Sequence, residues 1–170
     1  GFSGAVVTDE HLCTNVPNVY AVGDCNAKLM LAHTAYREAE VAVNHMLGKP
    51  DEMRYDVIPA VIYTNPEVGT VGETKESAEK AGMKVTEHTI SLRYSGRYIA
   101  ENEGGDGIVK IIVGEHREIV GVHMIGSYAS EIIYGAAAMV AKKERVDDVR
   151  KLVFPHPTVC EVIREEMFSI

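Results

Sequence analysis

The 170-residue chain lacks the features that mark several classes of protein. It has no dense cluster of Lys and Arg and a net charge of −8, so we expect no nucleic-acid partner. No apolar run approaches the roughly 18 residues that span a bilayer, which argues against a membrane partner. The N-terminal residues are neither basic nor followed by a long apolar stretch, so no signal peptide is predicted. These absences together predict a cytoplasmic protein.

Cysteine is also scarce in this chain. Cys13, Cys25 and Cys160 form no CxxC pair and lack the spacing of a zinc site, so we predict no metal site. We expect all three to be reduced thiols, as is usual in the cytoplasm. Cys160 adjoins a histidine and a glutamate and could act as a nucleophile. A free cysteine more often packs as a small hydrophobe, and we expect Cys160 to lie under the last helix.

The composition is that of a globular protein, with 46% hydrophobic and 25% charged residues. Residues 5–8 and 19–22 are predicted strands, and helical spacing of apolar residues predicts a helix over about 28–47. The second strand is expected to be buried and ends at Gly23 and Asp24, where open α/β sheets bind ligands. Two strands and one helix are too few for an independent sheet core. This N-terminal part therefore resembles a fragment of an α/β domain.

The rest of the chain is predicted to be an α+β domain, because strands and helices mix around a hairpin. The predicted strands cover residues 57–63, 68–72, 84–93, 108–113 and 119–125, and the last two flank a short loop. The predicted helices cover residues 74–81, 130–143, 146–153 and 158–168. Thr74 is the predicted N-cap of the first of these helices.

The chemically most suggestive side chains lie near the C-terminus, in residues 154–161. His156 and Glu161 stand five residues apart with a proline between them, and a carboxylate that holds an imidazole supports general acid–base chemistry. The same residues also fit a capping box, with Thr158 as N-cap and Glu161 reaching back from the third helical position. Because a carboxylate has two oxygens, both interpretations can hold at once.

Four motifs, in order along the chain, resemble those of the pyridine nucleotide–disulfide oxidoreductase family. Residues 14–24 are similar to the second flavin-binding motif, and residues 31–35 with Glu38 are similar to the helix start that follows it. Residues 66–72 resemble the opening of the family's dimerisation domain. His156, Pro157 and Thr158, together with Glu161, resemble the C-terminal catalytic dyad. The resemblance covers essentially the whole chain.

The resemblance implies two domains. Residues 1–50 would be the C-terminal tail of an FAD-binding domain. Residues 51–170 would be a dimerisation domain with an antiparallel sheet and flanking helices, through which a homodimer forms. The family's redox CxxxxC motif and its two GxGxxG fingerprints are absent from the sequence. We therefore interpret the chain as the C-terminal third of the enzyme, inactive alone and without bound FAD.

The resemblance also implies that five residues bind the flavin. Gly23 and Asp24 would contact it, with the Asp24 carboxylate accepting a hydrogen bond from the ribityl chain. Leu31, Ala32 and His33 would bring a helix N-terminus, whose dipole stabilises negative charge, to the pyrimidine carbonyl. A turn or N-cap role for Asp24, and a surface or packing role for His33, are the structural alternatives.

The same resemblance assigns the C-terminal pair to catalysis. His156 would take the proton from dihydrolipoamide as the thiol attacks a redox disulfide, and Glu161 would hold the imidazole. In this family the dyad serves the disulfide and flavin of the other subunit. A cis peptide bond between His156 and Pro157 is expected on the same ground.

The resemblance favours the branch of the family that oxidises dihydrolipoamide, with FAD as cofactor and NAD as electron acceptor. The partners would be lipoyl-bearing proteins of 2-oxoacid dehydrogenase or glycine cleavage complexes. One alternative is a glutathione reductase-like enzyme, which shares the histidine and the glutamate. The other alternative is a dimerisation module with no catalytic activity.

Overall fold

The computed structural model describes residues 4–170 and divides into two compact units. The first unit ends at Tyr55, and the second comprises Asp56–Ile170. Among the helices in residues 4–170, none has both the length and the apolar character needed to span a membrane.

The first unit is built around one long helix, α1, which comprises Ala32–Met46. The helix starts later than predicted because Leu31 has an extended backbone, and residue 28 bonds back to the Asn26 side chain. Gly48 follows the end of the helix with φ +68°, a conformation that glycine adopts without strain. A 3₁₀ turn at Gly23–Asn26 precedes α1.

The two strands predicted in the first unit do not form. Residues 5–8 have no regular structure, and residues 19–22 contribute only an isolated bridge between Cys13 and Tyr20. Val19 is 47% exposed, although the pattern predicted a strand buried on both faces. A strand persists only where a neighbouring strand takes up its backbone hydrogen bonds, and within residues 4–55 only the short stretch around Cys13 lies beside it.

A buried carboxylate organises the first unit. Glu38 of α1 is fully buried, and its oxygens accept hydrogen bonds from the Gly23 N–H at 2.5 Å and the Asn26 amide at 3.0 Å. The Tyr55 hydroxyl donates to the same carboxylate at 2.7 Å. Burial, and then the bond to the Glu38 carboxylate, raise the pKa of Tyr55 above its ordinary value, so the phenol stays protonated and donates. One side chain thus joins the 3₁₀ turn, the helix and the end of the unit.

The second unit contains a five-stranded antiparallel sheet, as predicted for an α+β fold. The strands are β1 (Ala60–Ile62), β2 (Val68–Gly72), β3 (Val85–Ser91), β4 (Ile108–Gly114) and β5 (Ile119–Ile125). Their order across the sheet is β1-β2-β5-β4-β3. The predicted β4–β5 hairpin is present, with a register irregularity between Ile112 and Val113.

Five helices accompany the sheet. They are α2 (Lys75–Lys80), α3 (Gly96–Glu101), α4 (Ala129–Lys142), α5 (Val146–Val149) and α6 (Glu161–Met167). Thr74 caps α2 as predicted, accepting from the Ser77 N–H in a capping box. Helix α3 was not predicted, because this short helix has a single buried residue and therefore no apolar periodicity.

The hydrophobic core of the second unit is formed by residues of the sheet and of α4, to which α5 and α6 add buried residues. Directly paired residues of β4 and β5 supply the sheet side of this core, and alternate positions along each strand point inward. These core residues are Val109, Ile111, Val122 and Met124, with Ile133, Ala136 and Val140 from α4. Burying each large aliphatic side chain contributes about 1.5–3 kcal/mol, so the sheet and α4 hold their relative positions firmly.

Replacing Glu38 with Gln is expected to destabilise the chain by about 1–3 kcal/mol. The Gln amide nitrogen would face the donors of Gly23, Asn26 and Tyr55 and would leave at least one of them without an acceptor. Unfolding in urea, followed by circular dichroism, measures the change.

The matched control for this prediction is Glu40→Gln on the same helix. Glu40 is exposed and pairs with Arg37 at the surface, so its loss should change stability by less than about 0.5 kcal/mol. Equal stability of the Glu38→Gln and Glu40→Gln chains would contradict the organising role of the buried carboxylate.

Candidate active site

His156 lies in an irregular segment immediately before α6, and Glu161 is the first residue of that helix. The His156–Pro157 peptide bond is cis, as predicted. The Thr158 hydroxyl donates to the Pro155 carbonyl at 2.6 Å, which closes a local turn. Helix α6 begins at Glu161, so Thr158 is not its N-cap, and the predicted start of the helix at residue 158 is wrong. Thr158 instead belongs to the turn that its hydroxyl closes with Pro155, and the helix begins only at Glu161.

Glu161 joins the segment to the histidine through its two carboxylate oxygens. Oε1 lies 2.8 Å from His156 Nδ1, and Oε2 accepts from the Thr158 N–H at 2.8 Å. The sequence left open whether Glu161 pairs with the histidine or reaches back to the backbone of Thr158, and the structure contains both contacts. The glutamate side chain is mostly buried, with 19% exposed, whereas the imidazole is 79% exposed.

The electrostatics of the pair favour an ionised carboxylate. The Thr158 N–H, and then the His156 ring, lower the pKa of Glu161 below its ordinary value, although burial opposes this. The stability gained from these bonds is present above the ordinary carboxylate range and is lost as the pH falls through the lowered value. An ionised carboxylate only accepts, so Nδ1 of His156 carries hydrogen, and the neutral ring presents the lone pair of Nε2 to solvent.

Cys160 stands between His156 and Glu161 along the sequence. It is half-buried, and its Sγ is 3.1 Å from the Thr158 hydroxyl. It lines a cavity of about 220 Å³ together with Arg97 and Ile132, so the prediction that it packs under the last helix is wrong. The residue precedes α6 and does not lie on the helix face that points into the core. Cys13 and Cys25 are also free thiols.

The residues predicted to bind a flavin occupy two adjacent features of the first unit. Gly23 opens the 3₁₀ turn with φ +76°, and a Cβ added there would lie 3.2 Å from the Cβ of Ala35 in α1. The turn therefore packs against the first turns of the helix. Asp24, next in the turn, is exposed, and so are Ala32 and His33 at the helix start.

The chemistry of these groups fits a flavin. Leu31 is the extended residue before α1, so the first N–H groups of the helix point outward beside exposed residues, and such groups attract negative charge. An exposed carboxylate at Asp24 can accept from hydroxyl groups. The ligand contacts of Gly23, Asp24 and the α1 start stay predictions. Within residues 4–170, no group of three or more His, Cys, Asp or Glu side chains is arranged to hold a metal ion.

Two structurally important residues had no predicted role. Glu38 was noted only as part of a motif, although it falls on the apolar stripe of α1 with Ala35 and Ala42, a position that marks an inward-facing carboxylate. Ser95 is almost fully buried and donates from its hydroxyl to the Thr158 carbonyl at 2.9 Å. No sequence pattern marks that bond, because its partners are 63 residues apart.

Comparison with known proteins agrees with the resemblance. Residues 58–167 match the family model of the pyridine nucleotide-disulphide oxidoreductase dimerisation domain. Residues 2–39 match a second model, described as pyridine nucleotide-disulphide oxidoreductase.

Curated relatives and solved structures cover nearly all of the chain. It is 36% identical over 163 residues to dihydrolipoyl dehydrogenase 3 of Haloarcula marismortui, covering 95% of this chain and 34% of that protein. It is 38% identical over 159 residues to the chloroplastic dihydrolipoyl dehydrogenase 2 of Arabidopsis thaliana, covering 91% of this chain and 28% of that protein. The chain thus spans about a third of the length of these relatives.

The crystal structure of LpdA from Mycobacterium tuberculosis shares the fold, with a TM-score of 0.89 at 24% identity. The match covers 97% of this chain and 36% of that one. The family model of the dimerisation domain matches well over half of the chain. The chain therefore belongs to the pyridine nucleotide-disulphide oxidoreductase family, with residues 58–167 corresponding to its dimerisation domain.

Proposed function

We propose that this chain is the C-terminal part of a flavin disulfide oxidoreductase that oxidises dihydrolipoamide to lipoamide with NAD as electron acceptor. The observation that carries the proposal is the 2.8 Å contact between His156 Nδ1 and Glu161 Oε1, which leaves an exposed imidazole with Nε2 toward solvent. The relatives at 36–38% identity are dihydrolipoyl dehydrogenases, which favours the lipoamide branch.

His156 acts as the general base in this proposal. Nε2 accepts the proton of a dihydrolipoamide thiol, and the resulting thiolate attacks one sulfur of a redox disulfide outside this chain. A mixed disulfide forms, and the second sulfur of the redox pair leaves as a thiolate. The Glu161 carboxylate stabilises the imidazolium produced by this step, since it lies 2.8 Å from Nδ1.

The first unit would supply part of a flavin site, and residues 1–50 would be the tail of the FAD-binding domain. Asp24 would accept a hydrogen bond from the ribityl chain, and Gly23, beside it in the 3₁₀ turn, would also contact the flavin. Residues 31–33 would direct the N-terminus of α1 at the pyrimidine carbonyl. A flavin bound there would supply the redox chemistry that links the reduced disulfide to NAD.

The domain at residues 51–170 would form the homodimer, and its dyad would serve the disulfide of the partner subunit. Support comes from the match of residues 58–167 to a dimerisation domain. The substrate would be presented by lipoyl-bearing proteins of 2-oxoacid dehydrogenase or glycine cleavage complexes.

Replacing His156 with Gln in the full-length protein should lower kcat for dihydrolipoamide oxidation by about 10²–10⁴-fold, since that is the usual contribution of a general base. Glu161→Gln should lower kcat as well, because the amide holds the imidazolium less strongly. The rate of NADH formation from dihydrolipoamide and NAD measures both effects.

The matched control for these variants is His116→Gln. His116 is exposed in the β4–β5 loop, and its replacement should leave the rate unchanged. If His156→Gln keeps the rate of the control variant, the acid–base role is refuted.

We also propose that the chain alone retains no FAD and is inactive, because it contains neither GxGxxG motif nor the redox CxxxxC. The absorbance spectrum of the purified chain, recorded before and after incubation with excess FAD and removal of the unbound flavin, should contain no flavin band. A stoichiometric flavin band would contradict this proposal.

A further inference from the structure

Ser95 connects the core of the second unit to the segment that carries the dyad. It is the N-cap of α3, and its Oγ accepts from the Tyr98 N–H at 3.1 Å. Its hydroxyl donates to the Thr158 carbonyl at 2.9 Å. The residue is 1% exposed, so this hydrogen bond is shielded from competing water.

Thr158 continues the connection toward the dyad. Its N–H donates to Glu161 Oε2 at 2.8 Å, and Glu161 Oε1 lies 2.8 Å from His156 Nδ1. A series of contacts thus runs from Ser95 to the Thr158 carbonyl, across the Thr158 backbone to its N–H, and through the Glu161 carboxylate to the imidazole.

We infer that Ser95 is a positioning residue for the His156–Glu161 dyad, acting through the backbone of Thr158. The expected effect on catalysis rests on the proposed function, whereas the expected effect on the position of the Thr158 backbone does not. The hydroxyl of Thr158 makes local contacts with Pro155 and Cys160, whereas the bond from Ser95 spans 63 residues and fixes the segment against α3. A serine at this position therefore does more than cap a short helix.

Loss of the Ser95 hydroxyl should change the hydrogen bonding of the Glu161 carboxylate. The Thr158 carbonyl would lose its buried donor, and the segment would relax away from α3. The adjoining Thr158 N–H, which contributes most to the lowered pKa of Glu161, would then point less directly at Oε2. The charged groups that face the carboxylate, His156 and Arg164, would be unchanged.

The test is a titration of the Glu161 carboxyl carbon by ¹³C NMR on the 170-residue chain. In Ser95→Ala the pKa of Glu161 should rise toward its ordinary value. Thr74→Ala is the matched control, because Thr74 likewise caps a six-residue helix, α2, but does not contact the dyad. Thr74→Ala should leave the pKa of Glu161 at its wild-type value. Ser95→Thr keeps a hydroxyl and should give the wild-type pKa as well.

The outcomes distinguish a role of Ser95 in positioning Glu161 from a role in the stability of the chain alone. A Ser95→Ala chain that melts earlier but titrates Glu161 as the wild type does would overturn the inference, as would an equal shift in Thr74→Ala. If Ser95→Ala does not fold, Ser95→Cys replaces it, because a thiol of similar size is a weak donor and should produce the same shift.

A second readout separates this inference from the proposed function. In the full-length protein, Ser95→Ala should lower kcat for dihydrolipoamide about tenfold or more, as misplaced catalytic groups do, with KM nearly unchanged. If wild-type full-length protein does not oxidise dihydrolipoamide, the proposed function fails while the Glu161 titration still decides the positioning role. An unchanged kcat in an active Ser95→Ala enzyme would refute the catalytic consequence of positioning.

Discussion

The candidate site depends on one carboxylate that makes two different bonds. Glu161 uses Oε2 to accept from the Thr158 backbone and Oε1 to hold the imidazole of His156. Because the Thr158 N–H fixes the position of the carboxylate, the carboxylate in turn fixes the orientation of the imidazole. Because the carboxylate is mostly buried and the ring is mostly exposed, the site combines a fixed anion with an accessible base. This division of exposure suits an acid–base pair, because the imidazole must reach a proton on another molecule while its carboxylate partner stays fixed.

A similar device organises the first unit. Glu38 lies on α1 and gathers the Gly23–Asn26 turn and the Tyr55 hydroxyl around one buried carboxylate. In both units a glutamate on a helix satisfies the backbone N–H of a neighbouring irregular segment, which no sheet or helix partner would otherwise satisfy. The two carboxylates differ in their access to solvent. Glu38 is fully buried and has a structural role, while Glu161 contacts the exposed imidazole of His156.

The elements that sequence predicted well are those specified by local chemistry. The β4–β5 hairpin and α4 follow from apolar periodicity, and α2 follows from the capping chemistry of Thr74. The pairing of His156 with Glu161 was accessible because both lie in one short segment. The strand expected over residues 19–22 failed because strand pairing depends on neighbours that a local pattern does not contain. The role of Ser95 was not predicted for the same reason, since only the folded chain brings α3 to Thr158.

The central claim is that the dyad of one subunit serves the redox disulfide of its partner, and hybrid dimers test it most directly. Two inactive full-length variants are co-expressed, one with His156→Gln and the other with its redox cysteines replaced by serine. Random pairing makes half of the dimers hybrids, each with one site that combines an intact dyad and an intact disulfide, so about a quarter of wild-type activity should return. Activity no higher than that of either variant alone would contradict the account.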